Sequence, residues 1–387
     1  MSLDENNSQP FRFELLTGEK VSSRRGRLYT PHGIIETPTF WPVGTIGAVK
    51  LLTPWQLLAT NAQGMLSNTY HLMLRPGTKA LIELGGLHRW GCWQKPLLTD
   101  SGGFQVMSHA PRRKLSEDGV TFQSHLNGDT FHLTPEESIG IQRAIGADII
   151  FMLDVCPPFG APEIEMREAH ERTLRWASRN RQAFRDLPPL YGNEQTLWPV
   201  VQGGTDLTLR KESAEALSEG NDFGYAVGGL AVGEPKELMW PATAAVTETL
   251  PVHAPKHLLG VGTPEDLLDA IVLGIDSFDC VLPTRNARHG IAFTSHGIVR
   301  IKNEKYKLDE LPLDPTCKCD VCNGETGGIS RSLLRHLYFA AEPNAQALLT
   351  YHNVTYYHRL LSDARSAIEQ NRYPSFVAET KARWREL

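Results

Sequence analysis

The sequence feature that most constrains the fold is a series of eight short apolar segments separated by stretches of helical character. Each segment has the length of a β-strand and little internal alternation, which is typical of parallel strands covered on both faces. Strand then helix, repeated eight times, predicts a (β/α)8 TIM barrel of the α/β class. The segments are 38–43, 64–72, 96–102, 147–155, 197–203, 224–230, 257–262 and 277–283.

Three helix-start signals lie between these segments. Thr53-Pro54, Thr134-Pro135 and Thr263-Pro264 each place a capping threonine before a proline in the first helical turn. The rival fold, a doubly wound sheet, requires a glycine-rich phosphate-binding turn after an early strand. No such turn is obvious, so the signals favour the barrel.

Uneven spacing indicates additions to the barrel. The first forty residues predict a hairpin lid, and residues 119–133 alternate around Asn127-Gly128, which predicts a second hairpin. Residues after 284 leave the repeat. The predicted organisation of the 387 residues is an N-terminal hairpin with a barrel catalytic core over 1–284, a zinc-binding subdomain with closing helices over 285–370, and a C-terminal tail over 371–387.

Composition excludes some classes of protein and leaves others open. The net charge of −5 argues against a wholly basic nucleic-acid coat but permits a local basic face. The sequence contains no run of eighteen apolar residues, so it predicts no membrane span. The opening residues lack the pattern of a secretory signal, and the six cysteines are not spaced as a disulfide framework. We therefore expect a cytoplasmic protein.

Three acids stand at or near the carboxyl ends of predicted strands, where barrels hold their chemistry: Asp100, Asp154 and Asp279. Burying a lone carboxylate costs several kcal/mol unless it is paired. Each acid alone is equally explained by a capped loop or an arginine partner, but three at one mouth are hard to explain by packing. Two carboxylates beside a sugar C1′ can cleave a glycosidic bond. A third can accept from the donor edge of a base.

Glycine-rich turns occur in the same places, at 100–104, 202–204 and 228–230. Such turns let the backbone approach a flat ligand closely, and Phe104 is a candidate to stack on it. A tight loop is the simpler explanation for any one of them.

A cysteine cluster predicts a metal site. Cys317, Cys319 and Cys322 have C-x-C-x2-C spacing and require a fourth ligand to hold tetrahedral zinc. Candidates are His336, His352 and His358, of which His352 follows a long helical stretch and could fold back onto the cysteines. Four protein ligands leave no open position, so the role of this site would be structural.

A basic stretch adjoins both sites. Residues 285–307 hold six lysines or arginines against one acid, Glu304. A solvated face is the usual explanation, but the position favours contact with a phosphate backbone. Residues 260–264 precede a helix start, whose free N–H groups could hold another phosphate.

Together these residues resemble the tRNA-guanine transglycosylase family, over residues 11 to about 370. The matching motifs are DSGGFQVMS at 100–108, the pair Asp154 and Cys156, Gln202-Gly203, GYAVGGLAVGE at 224–234, LLGVGTPEDLL at 258–268, SFDCVLPTRNARHG at 277–290, and CKCDVC followed by YHN at 351–353.

The resemblance implies a pentosyltransferase built on a barrel with a zinc-binding insertion. The family exchanges guanine at wobble position 34 of tRNAs with a G-U-N anticodon (the Asp, Asn, His and Tyr acceptors) for a free 7-deazaguanine base. Membership would also suggest a homodimer. By resemblance, Asp279 is the nucleophile on ribose C1′, Asp100 the general acid/base and Asp154 the reader of the guanine edge.

The resemblance also implies the remaining site residues. Gln202 and the Gly229 N–H would bind the base carbonyl, and Leu230 and Glu234 would lie near the 7-substituent. The full base-binding set is Ser101, Gly102, Gly103, Phe104, Asp154, Gln202, Gly229, Leu230, Glu234 and Leu259. The RNA-contacting set is Gly260, Val261, Gly262, Thr263, Pro264, Glu265, Asp266, Thr284, Arg285, Asn286, Ala287 and Arg288. One structural Zn²⁺ would be held by Cys317, Cys319, Cys322 and His352.

The sequence departs from the bacterial pattern of the family at a few positions. Val155 replaces a glutamate, proline follows Cys156, Leu259 replaces a methionine and Ala287 replaces a glycine. The loss of the glutamate is expected to alter the pocket around the 7-substituent. The GGLAVGE stretch favours the small amine 7-aminomethyl-7-deazaguanine (preQ1) slightly, while Val155 leaves the bulkier queuine open.

Three other functions compete with the transglycosylase. A zinc-dependent barrel hydrolase would need metal ligands at strand ends and an open metal position. A noncatalytic tRNA-binding paralogue would have lost its acids, whereas Asp100 and Asp279 are both present. A carbohydrate glycosidase would show no dependence on tRNA.

Overall fold

The computed structural model describes residues 9–17, 22–109, 112–324 and 327–385. Seventeen strands and fifteen α-helices occur in these residues. The strands are β1 (Arg12–Thr17), β2 (Arg25–Thr30), β3 (Gly33–Thr37), β4 (Thr39–Gly44), β5 (Met65–Ser67), β6 (Leu97–Thr99), β7 (Lys114–Leu115), β8 (Val120–Gln123), β9 (Thr130–Leu133), β10 (Ile149–Phe151), β11 (Thr196–Trp198), β12 (Val200–Val201), β13 (Tyr225–Val227), β14 (Lys256–Leu258), β15 (Ser277–Cys280), β16 (Ile291–Thr294) and β17 (Gly297–Arg300).

The helices alternate with the strands through most of the chain and follow one another near its end. They are α1 (Pro54–Ala59), α2 (Thr69–Leu74), α3 (Thr78–Leu84), α4 (Gly86–Trp90), α5 (Gly103–His109), α6 (Pro135–Ile145), α7 (Glu163–Asp186), α8 (Leu207–Ser218), α9 (Lys236–Thr249), α10 (Pro264–Val272), α11 (Leu282–Arg288), α12 (Asp320–Asn323), α13 (Arg331–Phe339), α14 (Pro343–Glu369) and α15 (Tyr373–Arg383). None of the helices in the described part of the chain has the length and apolarity that a membrane span requires.

Nine parallel strand segments close into one barrel. Their order is β11-β10-β6-β5-β4-β15-β14-β13-β12, and every pairing within this order is parallel. β11 and β12 are two halves of one barrel strand, interrupted at Pro199, which has no N–H to donate. The barrel therefore has eight strand positions, each overlapping a predicted apolar segment, and the predicted fold class is confirmed.

Two hydrophobic layers stabilise the barrel. The interior layer includes Trp41, Leu98 and Phe151, and a larger cluster fills the space between strands and helices. Because both faces of the strands are covered, the strands carry the continuous apolar runs seen in the sequence.

The N-terminal residues form an antiparallel sheet of three strands, β1-β2-β3. β2 and β3 are the predicted hairpin, and β1 was not predicted. Leu28 and Ile35 of this sheet join the interior layer, and Arg24 donates to Asp276, which directly precedes β15. The sheet therefore closes the amino-terminal end of the barrel, opposite the ends where the three acids were predicted.

The second predicted hairpin is present as β8 and β9, joined by β7 into a small antiparallel sheet. Its turn lies at Asn127-Gly128, where Gly128 has a φ of +79°. The three predicted caps are also confirmed. The hydroxyls of Thr53, Thr134 and Thr263 accept from the backbone N–H of the third residue of α1, α6 and α10.

The residues after β15 add a hairpin, β16-β17, and the helices α11 to α15. The 27-residue helix α14 joins this region to the barrel. The Tyr357 hydroxyl on α14 donates to the carbonyl of Gly262 at 2.6 Å, and His352, more than one turn earlier on α14, lies beside the clustered cysteines.

Candidate active site

The three predicted acids line one cavity of about 710 Å³ at the carboxyl ends of the barrel strands. Asp100 follows β6 directly, Asp154 lies three residues beyond β10, and Asp279 lies within β15. Parallel strands bring their carboxyl ends to the same end of a barrel. Residues far apart in sequence therefore face one ligand-sized space.

Asp100 is held by amide donors and has no cationic partner among its hydrogen bonds. It accepts from the Asn68 side chain, from the Thr69 N–H at 3.0 Å and from the Gly102 N–H at 3.1 Å. Burial, with the negative charge of Asp279 nearby, raises the pKa of Asp100 to about 7. A carboxyl group with that pKa can both donate and accept a proton near neutral pH.

Asp279 is partly exposed to the cavity, with 13% of its side chain accessible. Its Oδ1 lies 3.1 Å from His257 Nε2 and accepts from the Gly260 N–H at 3.2 Å. The carboxylate is thereby fixed against the wall of the cavity, with its other oxygen on the open side. This arrangement suits a nucleophile.

Asp154 is the third acid of the cavity, and it is buried. It accepts from Gln202 Nε2 at 2.6 Å and from the Ser101 hydroxyl at 3.5 Å. Burial raises the pKa of Asp154 to about 6, against the opposing effect of the Gln202 hydrogen bond. Above that pH the ionised carboxylate can accept from paired N–H donors of a ligand.

A buried arginine, Arg210, fixes the glycine turns beside Asp154. Its guanidinium donates to the carbonyls of Gly204, Gly228 and Gly229 at 2.7, 2.7 and 3.2 Å. Gly229 has a φ of +64°, and a Cβ there would overlap the side chain of Gln202. Only glycine fits this position without strain, so the turn keeps its N–H groups close to the cavity.

The loop after β13 separates this cavity from a smaller one. Glu234 accepts from the backbone N–H groups of Ala231 and Val232 and lines the smaller cavity, whereas Leu230 lines the large one. In a trans peptide the N–H and the preceding carbonyl point in opposite directions. Because the Ala231 N–H faces Glu234, the Leu230 carbonyl faces away from it.

Apolar side chains complete the walls of the large cavity. Phe104, 43% exposed, and Leu259 both line it. Val155 is buried in the hydrophobic core and donates its N–H to the Thr173 hydroxyl at 3.0 Å. It is not among the described residues that line this cavity.

The twelve predicted RNA-contacting residues divide by burial. Gly260, Thr284, Arg285 and Arg288 line the rim of the cavity. Gly260, Glu265 and Arg285 are exposed, and three others are partly exposed: Thr263, Asn286 and Arg288. The remaining six are buried: Val261, Gly262, Pro264, Asp266, Thr284 and Ala287.

Cys317, Cys319, Cys322 and His352 come together as one buried cluster with ligand atoms within 4.8 Å of one another. His352 Nδ1 lies 3.3 Å from Cys322 Sγ and 3.7 Å from Cys319 Sγ. Its Nε2 lies 2.8 Å from the Phe293 carbonyl, which can only accept, so Nδ1 carries the lone pair that faces the sulfurs. The donor set and the tautomer both fit a tetrahedral metal ion.

Three residues of the site escaped the sequence analysis. Asn68 and His257 contact the two catalytic candidates, and Arg210 holds the glycine turns. Asn68 had a signal, since it follows a strand end as Asp100 does. His257 had a weaker one, a histidine inside an apolar strand segment, and Arg210 had none because it lies on a helix.

The protein is a closed parallel barrel, and the cavity at the carboxyl ends of its strands holds a nucleophile candidate and an acid/base candidate. These features are typical of a barrel enzyme. Comparison with known proteins makes the enzyme class particular. The sequence model of the family described as "Queuine tRNA-ribosyltransferase" matches residues 19–386. The chain belongs to this family, which confirms the predicted family and the predicted enzyme class, a pentosyltransferase.

Curated relatives carry the same description. The chain is 51% identical over 355 residues to the "Queuine tRNA-ribosyltransferase" of Sorangium cellulosum, covering 92% of this chain and 88% of that protein. It is 47% identical over 372 residues to that of Thiobacillus denitrificans, covering 96% and 98%. It is 45% identical over 377 residues to that of Rhizobium meliloti, covering 97% and 98%.

Proposed function

We propose that the protein exchanges guanine at wobble position 34 of G-U-N tRNAs (the Asp, Asn, His and Tyr acceptors) for a free 7-deazaguanine base. The observation that carries the proposal is the convergence of Asp100, Asp154 and Asp279 on one cavity in three different environments. Family membership supports the same reaction.

In the proposed mechanism Asp279 attacks ribose C1′ and displaces guanine, forming a covalent ribosyl ester. The incoming base then attacks C1′ from the face that guanine left, so the configuration at C1′ is retained after two displacements. Support comes from the two donors that fix Asp279 at the cavity wall.

Asp100 serves as the general acid and base. Its pKa of about 7 leaves a substantial protonated fraction at neutral pH, so it can protonate the departing guanine. The resulting carboxylate can then take the proton from the incoming base. Because the two bases exchange symmetrically, one residue can serve both half-reactions.

Asp154 and Gln202 recognise the base edge. The Asp154 carboxylate accepts from the N–H and amino groups of guanine, and the Gln202 amide has two hydrogens, one for Asp154 and one for the base carbonyl. The Gly229 N–H is a second donor to that carbonyl. Phe104 stacks on one face of the base, with Leu259 at the other, and wobble recognition requires the base to leave its stack.

The incoming base is preQ1 in preference to queuine. The Leu230 carbonyl is directed away from Glu234 and can accept from the aminomethyl group of preQ1. Glu234 adds negative charge beyond it. Queuine carries a bulky substituent on the same nitrogen, which would have to pass the loop between the two cavities.

The tRNA lies over the rim formed by Arg285 and Arg288. Both arginines line the cavity that Asp279 also lines, and cations at such a position can hold the phosphates that flank the reacting nucleotide. The side chains of other members of the predicted RNA-contacting set, such as Val261 and Ala287, are buried.

The cysteine cluster holds one structural Zn²⁺. With Cys317, Cys319, Cys322 and His352 as ligands, no position remains open for a substrate. The cluster also lies beyond the barrel strands, which separates it from the reacting carboxylates. A zinc-dependent hydrolase therefore has less support than a transglycosylase.

The predicted homodimer and cytoplasmic location belong to the same proposal. The cytoplasm is where the tRNA substrate is found, and the six cysteines form no disulfide.

The deciding experiment offers labelled guanine, preQ1 and queuine to the enzyme together with a G-U-N tRNA. Incorporation of guanine and preQ1 with loss of the original guanine is the expected result. Incorporation of queuine alone would overturn the assignment of the base. Binding of tRNA without any exchange would favour the noncatalytic paralogue.

A further inference from the structure

His257 contacts the proposed nucleophile, Asp279, because the two residues lie on the neighbouring strands β14 and β15. On β14 it lies directly opposite Ser277 of β15 in the parallel pairing. Ser277 and Asp279 are two residues apart on one strand, so their side chains point to the same face. His257 therefore faces both, within the barrel interior beside the ring of Phe151.

The hydrogen bonds of His257 place a hydrogen on its Nε2 atom. His257 Nδ1 lies 2.8 Å from the Ser277 hydroxyl, and Nε2 lies 3.1 Å from Asp279 Oδ1. A carboxylate oxygen can only accept, so Nε2 carries a hydrogen. The Ser277 hydroxyl can donate to Nδ1 or accept from it, so both ring nitrogens have a partner. The ring is fully buried, so water does not compete for either nitrogen.

The two oxygens of Asp279 are consequently unequal. Oδ1 accepts from His257 and from the Gly260 N–H. No hydrogen bond to Oδ2 comes from the described part of the chain. Oδ2 therefore keeps its lone pairs available on the side that faces the cavity.

We propose that His257 is a positioning residue that makes Oδ2 the attacking oxygen and stabilises the Asp279 carboxylate when it leaves. The inference rests on the proposed function. In the first step Oδ2 bonds to C1′ while the C1′–N9 bond breaks, and the electron pair leaves with guanine, which takes the Asp100 proton. Oδ1 is then the carbonyl oxygen of the ester, still held by two donors.

The second step requires the same donors. As N9 of the incoming base bonds to C1′, the C1′–Oδ2 electron pair returns to Asp279 and the N9 proton passes to Asp100. The negative charge spreads onto Oδ1, where His257 and Gly260 meet it. Preorganised donors at an oxygen that gains charge lower the barrier of such a step.

The test compares four variants in steady-state guanine exchange and in the release of preformed covalent adduct by added guanine. His257→Phe keeps a ring and removes both nitrogens, and His257→Gln returns an N–H near the position of Nε2. Ser277→Ala frees Nδ1. The control, His253→Phe, makes the same change at an exposed histidine nearby on the chain.

We expect His257→Phe to lower kcat and the adduct release rate roughly tenfold to hundredfold, the effect of losing one hydrogen bond to a charged group. KM for tRNA should change less than about twofold, because tRNA is held at the rim by other groups. His257→Gln should recover most of the loss, and Ser277→Ala should show a smaller decrease. His253→Phe should match the wild type.

Several results would overturn the inference. They are unchanged kcat in His257→Phe, a rise in KM that accounts for the loss of kcat/KM, or His257→Gln no better than His257→Phe. If His257→Phe does not fold, the test falls to Ser277→Ala. A rate of adduct release equal to that of the wild type in this variant would also overturn the inference. A wild-type enzyme that exchanges no guanine would instead overturn the proposed function itself, and the inference with it.

Discussion

Both ends of the barrel bury carboxylates, but Asp276 and Asp148 at one end differ from Asp100 and Asp154 at the other in the groups that hold them. At the amino-terminal end, Asp276 is paired with Arg24, each with 1% of its side chain exposed. Asp148 lies beside His32 and accepts the Leu97 N–H. At the carboxyl-terminal end, the donors to Asp100 and Asp154 within the described part of the chain are amides and a hydroxyl.

The pKa values follow this difference. Burial alone would raise the pKa of Asp148, but hydrogen bonds and charge from His32 and His88 lower it below its usual value. Burial without a cationic partner raises the pKa of Asp100 and Asp154 to about 7 and about 6. Paired carboxylates stabilise the fold, whereas carboxylates without a cation can exchange protons and bind a ligand.

The largest expected effect is at the mouth. Asp279→Asn should lower guanine exchange at least about a thousandfold, because an amide is a poor nucleophile, while the thermal unfolding midpoint stays close to that of the wild type. The measurement is incorporation of labelled guanine, with thermal unfolding as the check on folding. Exchange at a tenth of the wild-type rate would remove Asp279 from the role of nucleophile.

The cysteine cluster should stabilise the fold, as the paired carboxylates at the amino-terminal end of the barrel do. Cys319→Ser should reduce the zinc content from about one per chain to near zero and lower the unfolding midpoint, because metal binding is coupled to folding. Zinc is measured by atomic emission. Cys92→Ser, at an exposed cysteine, is the control, and unaltered metal content in Cys319→Ser would contradict the assigned ligands.

Breaking the buried ion pair at the amino-terminal end should destabilise the protein. Arg24→Met leaves Asp276 charged and buried, which costs about 3–5 kcal/mol of the free energy of unfolding. Urea unfolding measures the loss. Arg285→Met at the rim is the control, with an expected change within about 0.5 kcal/mol. Equal decreases in the free energy of unfolding of the two variants would contradict the proposed difference between the two ends of the barrel.

The smallest expected effect is a pH dependence confined to the mouth. In the proposed function Asp154 binds the base as a carboxylate, so as pH falls through about 6 it should be protonated and KM for guanine should rise. The rise should be roughly tenfold for each pH unit below that value. Asp148 stays ionised over the same range, so it takes no stability away. Asp154→Asn should abolish the pH dependence of KM, and an unchanged slope would exclude Asp154 as the base-binding group.

The sequence predicted most of the fold because the barrel depends on local patterns. Eight apolar runs, three threonine caps and the Asn127-Gly128 turn are each readable over a few residues. It did not predict β1, which has no apolar run of its own, or the break at Pro199, which lies inside a run. Both depend on how strands pair across the barrel.

The sequence predicted the site residues that stand at or near strand ends. It did not predict contacts between residues that lie on different strands or far apart in the chain. Asp100, Asp154 and Asp279 stand at strand ends and were found. Asp276 stands at a strand start, and its partner Arg24 lies 252 residues away in sequence. His257 reaches Asp279 only through the pairing of β14 with β15. Such pairs require knowledge of strand order and register.

The central claim is that the carboxylate of Asp279 bonds to ribose C1′ of the tRNA. The most direct measurement traps the enzyme with a G-U-N tRNA, denatures it, digests protein and RNA, and locates the modified peptide by mass spectrometry. The account predicts a nucleotide remnant lacking its base, attached to Asp279. A remnant on Asp100, or unmodified protein under conditions where guanine exchange proceeds, would contradict it.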